Sequence, residues 1–323
     1  HNRRFPKRQT SRALAKRGPT APNRRVMALR DFALLVFVCL LWATNNIVSK
    51  YVVAYLHAPP LFYAAVRFII VAAAVFPWLR NPPRPLWRLL LIAVCMGAGS
   101  FAFMFIALKT ASPSSAAIVS QLMVPTTTFL SFMLLGERLN RRRLLGISLT
   151  LIGALAVMWD PHGFTLTGGL AFVLVSVVLG SLGSVLMKQM EGVKPLQFQA
   201  WVGLASAAVL IPMSLIFEPG GVETGLSIGW RFWAAVVFSA LVVSVFGHTA
   251  YYWLIQRYEA NLISPLTLMT PLATIGLGVV ITHDPFDARM AFGAAVALAG
   301  VLIIAMRPNQ IMLLLLNLRG RAR

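Results

Sequence analysis

The chain has 323 residues, of which 58% are hydrophobic and 12% charged, so it is far more apolar than a soluble domain. Its 29 Lys and Arg residues outnumber its 9 Asp and Glu residues, which gives a net charge of +20. In a soluble protein this charge would suggest nucleic-acid binding, but here most of it falls in tails and between long apolar runs. The composition excludes a soluble core and predicts an integral membrane protein, with membrane lipids and not nucleic acid as its surroundings.

Residues 1–31 form a basic leader that holds ten Lys or Arg residues and a single acid, Asp31. A transit peptide or, from the pair Arg3-Arg4, a twin-arginine signal would look similar, but a full-length apolar span follows instead of a cleavable segment. We expect this leader to be disordered. Met27 stands just before the first span in the way a natural start would, so we expect translation of the native protein to begin there.

Ten apolar runs follow, each close to the roughly 20 residues that cross a hydrocarbon core of about 30 Å. We therefore predict an all-α integral membrane fold of ten transmembrane helices, with a cytoplasmic tail at 307–323. The predicted spans are 32–56, 60–79, 86–108, 113–135, 141–159, 168–188, 196–217, 230–254, 258–281 and 287–306.

The charges between the spans predict the orientation, because Lys and Arg near spans stay in the cytoplasm. With an inside N-terminus, most basic loop residues fall inside, among them Arg141, Arg142 and Arg143. We therefore predict that both termini are cytoplasmic. Five of the 9 acids then fall outside: Asp160, Glu218, Glu223, Asp284 and Asp287.

An internal repeat relates the halves 32–159 and 168–306. The aligned pairs are Pro125 with Pro271, Met123 with Met269, Lys50 with Lys188, Pro60-Leu61 with Pro195-Leu196, and Gly146 and Gly153 with Gly293 and Gly300. Each copy has five spans, an odd number, so the second copy must enter the membrane from the opposite side. Inverted repeats are typical of alternating-access carriers, which bind substrate near the midplane at the repeat interface.

Four stretches resemble a known family: LLWATNNIVSK, APPLFYAAVRFIIVAAA, LMVPTTTFLSFMLLGERLNRRRLLGISLTLIGA and YWLIQRYEANLISPLTLMTPLATIGLG. From about Met27 to Pro308 the chain resembles the EamA family of the drug/metabolite transporter superfamily, most closely its bacterial cysteine and O-acetylserine exporter branch. The resemblance implies an inner-membrane exporter of small amino-acid-like metabolites. The second copy reads THDP at 282–285 where Gly136-Glu137 would be matched, so a mechanism with the acid in both halves is not expected.

Arg67 is the leading candidate for substrate binding. It lies about seven residues into the second span, where a permanent cation is costly unless it faces the bundle interior or a cavity. A guanidinium can bind a substrate carboxylate bidentately. The alternative is a structural Arg67 that caps backbone carbonyls or extends outward to the membrane surface.

Other polar residues are predicted to bind substrate with it. Asn45 and Asn46, with Trp42 one turn earlier, place amides near the middle of the first span, where interhelical hydrogen bonding is the alternative role. Gln121 lies one turn before Pro125, whose missing N–H frees a backbone carbonyl, so we expect both to face the cavity.

His248, with Tyr251 and Tyr252, lies in the cytoplasmic half of the eighth span and could bind substrate or relay protons, with interfacial anchoring as the alternative for the tyrosines. All 9 acids lie at or beyond span ends, so the usual intramembrane carboxylate of a proton-coupled carrier is missing. The sequence therefore predicts facilitated efflux or exchange. Structural or gating roles are predicted for Lys50, Lys188, Glu137, Pro125 and Pro271.

Rival functions are less consistent with the sequence. A membrane enzyme would need a buried nucleophile and base or clustered metal ligands, and neither a Ser/His/Asp set, an HExxH motif nor a phosphate loop is visible. Cys39 and Cys95 each lie inside a span, so no disulfide framework or CxxC site is predicted. We predict no enzyme activity, cofactor or metal. A sugar or drug permease stays open as an alternative. A scaffold would be expected to have longer loops, and a channel would be expected to have a filter-like segment or a repeated ring of charges.

Overall fold

The computed structural model describes residues 27–80, 82–136, 140–158, 168–187, 189–190, 193–258, 263 and 266–305. The predictions for residues 1–26, for the tail at 307–323, for Glu137 and for Lys188 lie outside the described residues.

The described residues form helices joined by short loops, and no β-strand occurs among them. We number ten long helical segments in chain order. They are α1 Leu29–Tyr55, α2 Pro60–Ala74, α3 Leu86–Ala107, α4 Pro113–Leu135, α5 Arg141–Met158, α6 Gly168–Met187, α7 Pro195–Phe217, α8 (the consecutive stretches Trp230–Val237, Phe238–Gly247 and His248–Arg257), α9 Met269–Ile281 and α10 Ala288–Ala305. Phe76–Leu79 and Gly221–Ser227 are shorter helices.

Six of these segments, α1, α3, α4, α6, α7 and α8, are long and apolar enough to cross a membrane, and α2, α9 and α10 are shorter apolar helices. The prediction of an all-helical, multi-pass membrane protein is therefore confirmed for the described residues. Within the predicted ninth span, 258–281, Tyr258 is extended, whereas Ile263, Leu266 and the stretch Met269–Ile281 are helical.

The helix ends gather into two groups, at opposite ends of the bundle. The His57 end contains the turns around residues 50–62, 107–114, 217–230 and 278–288. The Met27 end contains the turns around residues 27–31, 76–88, 140–146, 186–197, 257–258 and 303–305.

Two acidic residues close the His57 end by capping helices that belong to the other half of the chain. The carboxylate of Glu218 accepts hydrogen bonds from the backbone N–H groups of Leu61 (3.0 Å) and Phe62 (2.9 Å) in the first turn of α2. Asp284 accepts from the backbone N–H (2.9 Å) and hydroxyl (2.5 Å) of Ser114 in the first turn of α4. These anions satisfy helix-end donors that have no partner within their own helices and also favour the positive helix end.

At the Met27 end, Asp31 fixes the start of α1 against the end of α8. The hydroxyl of Tyr258 donates to its carboxylate at 2.5 Å, and the Arg257 guanidinium lies 3.5 Å from the same oxygen. Arg88, at the start of α3, donates to the backbone carbonyl of Gln189 beyond α6 (3.0 Å). Charged residues therefore lie at both ends of the bundle, where water and headgroups can solvate them.

Helices α5 and α10 pack with backbone against backbone. A Cβ atom added to Gly153 would lie 2.4 Å from the backbone nitrogen of Ala297 and 2.5 Å from the carbonyl oxygen of Gly293. A Cβ added to Gly300 would lie 2.5 Å from the nitrogen of Thr150. The glycines that the repeat aligned therefore meet each other, and their lack of a side chain lets the two helices approach closely.

We expect Gly153→Val to lower the midpoint of thermal unfolding in detergent, because the new methyl groups must push α5 away from α10. Overpacking of this kind costs about 1–3 kcal/mol. Gly276→Val is the matched control, since nothing lies within 4 Å of a Cβ at that α9 position. Equal unfolding midpoints for the two variants would contradict the close packing of α5 on α10.

Candidate functional site

Arg67 lies in the middle of α2 with only 1% of its surface exposed. Its Nε and Nη2 both donate to the hydroxyl of Ser244 on α8, at 3.2 and 2.9 Å. Its Nη1 is buried and has no hydrogen-bond partner in the described part of the chain. One edge of the guanidinium is therefore held by the protein, and the other edge carries unused donors.

Aromatic rings, and not carboxylates, surround this cation. The guanidinium carbon lies 4.5 Å from the ring centre of Phe101 and 5.8 Å from that of Phe105, one turn apart on α3. Among the described residues the ion pairs are those of Arg257 with Asp31 and of Arg289 with Asp287, so none of the described acids pairs with Arg67. Ring faces attract a cation but do not neutralise it, and an uncompensated buried charge is costly. The site therefore has the electrostatics of an anion-binding site.

A fully buried set of hydrogen bonds lies beside Arg67, toward the His57 end. The hydroxyl of Ser239 on α8 donates to Oδ1 of Asn45 on α1 at 2.5 Å. Because a hydroxyl has one proton, the hydroxyl of Tyr63 must be the donor in its own 2.8 Å bond to Ser239. Tyr63 and Ser239 are 0% exposed and Asn45 is 7% exposed. These bonds join α1, α2 and α8.

The middle of α8 is a widened helix, Phe238–Gly247, in which backbone bonds connect residues five apart. This register lets the hydroxyl of Ser244 donate to the backbone carbonyl of Ser239 at 3.0 Å, five residues earlier. Since that bond uses its only proton, Ser244 can only accept from Arg67. A single stretch of α8 therefore contacts both Arg67 and the buried set around Ser239.

On the other side of Arg67, toward the Met27 end, lies an aromatic group that is only half-buried. The Trp42 ring centre is 5.6 Å from that of His248 and 5.1 Å from that of Tyr251. The ring centres of Tyr252 and His248 are 6.5 Å apart. Nδ1 of His248 lies 3.1 Å from the backbone carbonyl of Ser244. The indole N–H of Trp42 is buried and, within the described residues, unpaired.

The structure thus brings six of the predicted substrate-binding residues into one neighbourhood: Trp42, Asn45, Arg67, His248, Tyr251 and Tyr252. The other two make different contacts. Asn46 donates to the hydroxyl of Thr274 on α9 at 3.2 Å, which is the interhelical alternative, and Gln121 donates to the carbonyl of Ala117 on its own helix at 3.3 Å.

Three of the residues predicted to have structural or gating roles, Lys50, Pro125 and Pro271, lie in the described part of the chain. Pro125 is buried within α4, and Pro271 is buried near the start of α9. Lys50 donates to the backbone carbonyls of Ala111 (3.0 Å) and Lys109 (3.5 Å), so its ammonium caps the turn between α3 and α4 instead of only extending to the surface.

Sequence reasoning missed Tyr63, Phe101, Phe105, Ser239 and Ser244. Tyr63 could have been found, because it lies one helical turn before Arg67 and therefore on the same face of α2. The two serines gave no such signal, because five residues separate them and an ordinary α-helix would point them in different directions.

A multi-pass helical protein with an unpaired buried cation between helices from its two halves has the features of a membrane transporter. The comparison with known families agrees. A family model described as the EamA-like transporter family matches the chain twice, at residues 31–159 and 167–306, and the chain belongs to this family. The family predicted from the sequence motifs is confirmed.

Individual relatives match over most of their length. A protein of Salmonella typhimurium named "Probable amino-acid metabolite efflux pump" is 27% identical over 286 residues, which cover 86% of this chain and 95% of that protein. An Escherichia coli protein of the same name is 25% identical over the same shares of each chain. A solved crystal structure matches with a TM-score of 0.57 and 23% identity, over 85% of this chain and 96% of the other, and shows a shared fold.

We expect Ser244→Ala to destabilise the protein, because it removes the only described side-chain acceptor of a buried guanidinium. Leaving such donors unpaired costs about 1–3 kcal/mol, which should lower the thermal unfolding midpoint in detergent. Ser184→Ala is the control, since the Ser184 hydroxyl bonds only to the carbonyl of Gly180 on its own helix (2.8 Å). If Ser184→Ala lowered the midpoint as much as Ser244→Ala, the bonds to Arg67 would have no special weight.

Proposed function

We propose that this protein exports small, amino-acid-like metabolites across a bacterial inner membrane by alternating access, with Arg67 binding the substrate carboxylate. The observation that supports this most directly is the unpaired Nη1 of a guanidinium that is only 1% exposed. In a membrane interior, a polar group of this kind is expected to have a functional partner. The substrate is the partner that the described residues do not supply.

The geometry favours a carboxylate. Ser244 occupies the edge formed by Nε and Nη2, so Nη1 and the second Nη2 proton form the fork that is left for the ligand. A planar carboxylate matches this fork with two parallel bonds. A sugar or a neutral drug could use the amides and hydroxyls nearby but would leave the charge of Arg67 uncompensated, so these alternatives explain less of the site.

The half-buried aromatic group suits the rest of an amino-acid-like molecule. The rings of Trp42 and Tyr251, with centres 5.1 Å apart, offer faces to which an ammonium group is attracted. The unpaired indole N–H of Trp42 can donate to a further substrate oxygen. The names of the Salmonella and Escherichia relatives as amino-acid metabolite efflux pumps support the same substrate class and the outward direction.

We further propose that all ten segments cross the membrane as two inverted five-helix repeats. The double family match supports two related halves, at 31–159 and 167–306. The Met27 end carries Arg88 and the arginines at 141–143, whereas Glu218 and Asp284 lie at the His57 end. By the positive-inside rule the Met27 end, and with it both termini, is cytoplasmic. Transport in this scheme needs no catalytic step and no resident cofactor.

We expect Arg67→Ala to abolish export of labelled amino acids, led by cysteine and O-acetylserine, from cells that express the protein. Removal of one partner of a buried charge pair costs about 2–5 kcal/mol, which corresponds to a loss of about 30-fold or more. Efflux at equal membrane abundance is the measurement. Arg88→Ala is the control, because Arg88 bonds to Gln189 at the Met27 end, away from the site.

Retained efflux by Arg67→Ala would reject the carboxylate role of Arg67. Failure of the wild type to export anything on the panel would reject the amino-acid assignment, and the panel would then turn to sugars and drugs.

We also expect efflux without substrate-driven proton movement, because all 9 acids lie at or beyond the proposed span ends. The measurement is the pH inside proteoliposomes while substrate moves down its gradient. A proton flux that depends on substrate and disappears in His248→Ala would overturn facilitated transport.

A further inference from the structure

The described buried apolar residues form one large cluster and three smaller ones. In the half nearer the His57 end, one continuous core contains residues from all ten segments. Its members include Val52 of α1, Leu61 of α2, Phe105 of α3, Val119 of α4, Val157 of α5, Val173 of α6, Leu210 of α7, Phe232 of α8, Ile275 of α9 and Ala294 of α10. The bundle is therefore packed shut across this half.

In the half nearer the Met27 end, the described buried apolar residues form three smaller clusters. One joins α3, α6 and α7 around Ile92, one joins α1 and α8 around Leu35, and one joins α2, α7 and α8 around Val71. The half-buried Trp42, His248, Tyr251 and Tyr252 lie in this half. The described residues thus form one closed apolar core on the His57 side of Arg67.

At the boundary between the His57-side half and the Met27-side half of the bundle lie Tyr63, Ser239 and Asn45. Their bonds of 2.8 and 2.5 Å connect α1 and α2, from the first family match, to α8, from the second. Tyr63 also packs on Phe105 and Phe232 of the continuous core, with ring centres 4.8 and 6.0 Å away. The polar trio is therefore in direct contact with the continuous core.

We propose that Tyr63, Ser239 and Asn45 form the gate on the His57 side of the substrate site, and that Ser244 connects this gate to Arg67. The proposal rests on the proposed function, because a gate needs a transport site to close. Opening toward the His57 end requires α8 to part from α1 and α2, and these bonds directly oppose that separation.

The connection through Ser244 follows from its two bonds. Its hydroxyl accepts from Arg67 and donates to the carbonyl of Ser239, so one side chain touches both the substrate cation and the gate backbone. In an ordinary α-helix, residues five apart point about 140° away from each other, given 3.6 residues per turn. A return of this stretch to α-helical bonding would therefore break the contact between Ser244 and Ser239. Widened turns of this kind often mark functional sites.

Cysteine accessibility tests the gate without any substrate. The parent protein carries Cys39→Ala and Cys95→Ala, which removes both native thiols. Ala235→Cys then places a probe on α8, one turn beyond Ser239 toward the His57 end, at a position that is 8% exposed. A membrane-impermeant maleimide is applied in turn to intact cells and to inside-out vesicles, and the labelling rate is measured.

We expect the thiol at position 235 to react slowly in the parent. When Tyr63→Phe is added, we expect labelling about tenfold faster by maleimide applied from the side of the membrane on which the His57 end lies. Loss of a buried hydrogen bond worth about 0.5–1.5 kcal/mol shifts a two-state equilibrium by up to roughly this factor. Ser239→Ala removes the hydroxyl that makes both side-chain bonds, so it should increase labelling further. Ala154→Cys, which is 0% exposed on α5 in the same core, is the control that should stay slow.

Three outcomes would overturn the gate. The first is fast labelling of position 235 in the parent from the His57 side of the membrane. The second is a labelling rate that neither Tyr63→Phe nor Ser239→Ala increases. The third is an equal increase in the labelling rates at positions 235 and 154, which would indicate a general loosening of the core. Labelling needs no substrate, so the two proposals can fail separately. If the protein exports nothing on the amino-acid panel but shows the expected labelling, the substrate assignment is rejected and the gate is supported.

Discussion

Hydrocarbon offers no hydrogen-bond partner, so every polar group in the bundle interior must find one within the protein. Most of them do. Ser100 and Ser176 bond to each other across α3 and α6, and Ser239 bonds to both Tyr63 and Asn45. Arg67 departs from this pattern most strongly, because it carries a full charge in the middle of a helix, is only 1% exposed and keeps buried donors that no described residue uses. The arrangement of α1, α2, α3 and α8 around it is best understood as the means of keeping that charge in place.

Three different interactions hold the guanidinium there. Phe101 covers one face and so keeps lipid and water away, Ser244 fixes the Nε and Nη2 edge, and the packing of α2 against α7 and α8 prevents the side chain from reaching the surface. None of them cancels the charge. This arrangement would suit reversible binding of an anion, which the proposed carrier needs because it must release what it binds. A protein carboxylate at the same position would compete with substrate.

The sequence predicted a multi-pass helical protein because apolar runs of bilayer length have few alternatives, and it singled out Arg67, Trp42 and His248 as candidates because polar residues in such runs are costly. It did not predict Ser239 and Ser244, since serine is tolerated almost anywhere in a span and only the widened register of α8 aligns the two. Local backbone geometry, which composition does not encode, decided that alignment. Gln121, which the sequence places in the cavity, donates to the carbonyl of Ala117, one turn earlier on its own helix, and its role in substrate binding stays a prediction.

The widened stretch of α8 is unusual, since hydrogen bonds between residues five apart are rare in proteins. A helix of ordinary register would still bury its apolar face, so packing alone does not explain the stretch. The widened register does explain how the Ser244 hydroxyl can contact both Arg67 and Ser239. Because Ser239 and Ser244 lie on the second half of the chain and Arg67 on the first, the same contacts join the two halves at Arg67. Any relative movement of the halves must therefore change the surroundings of Arg67, and in the proposed alternating-access scheme this would couple substrate binding to opening.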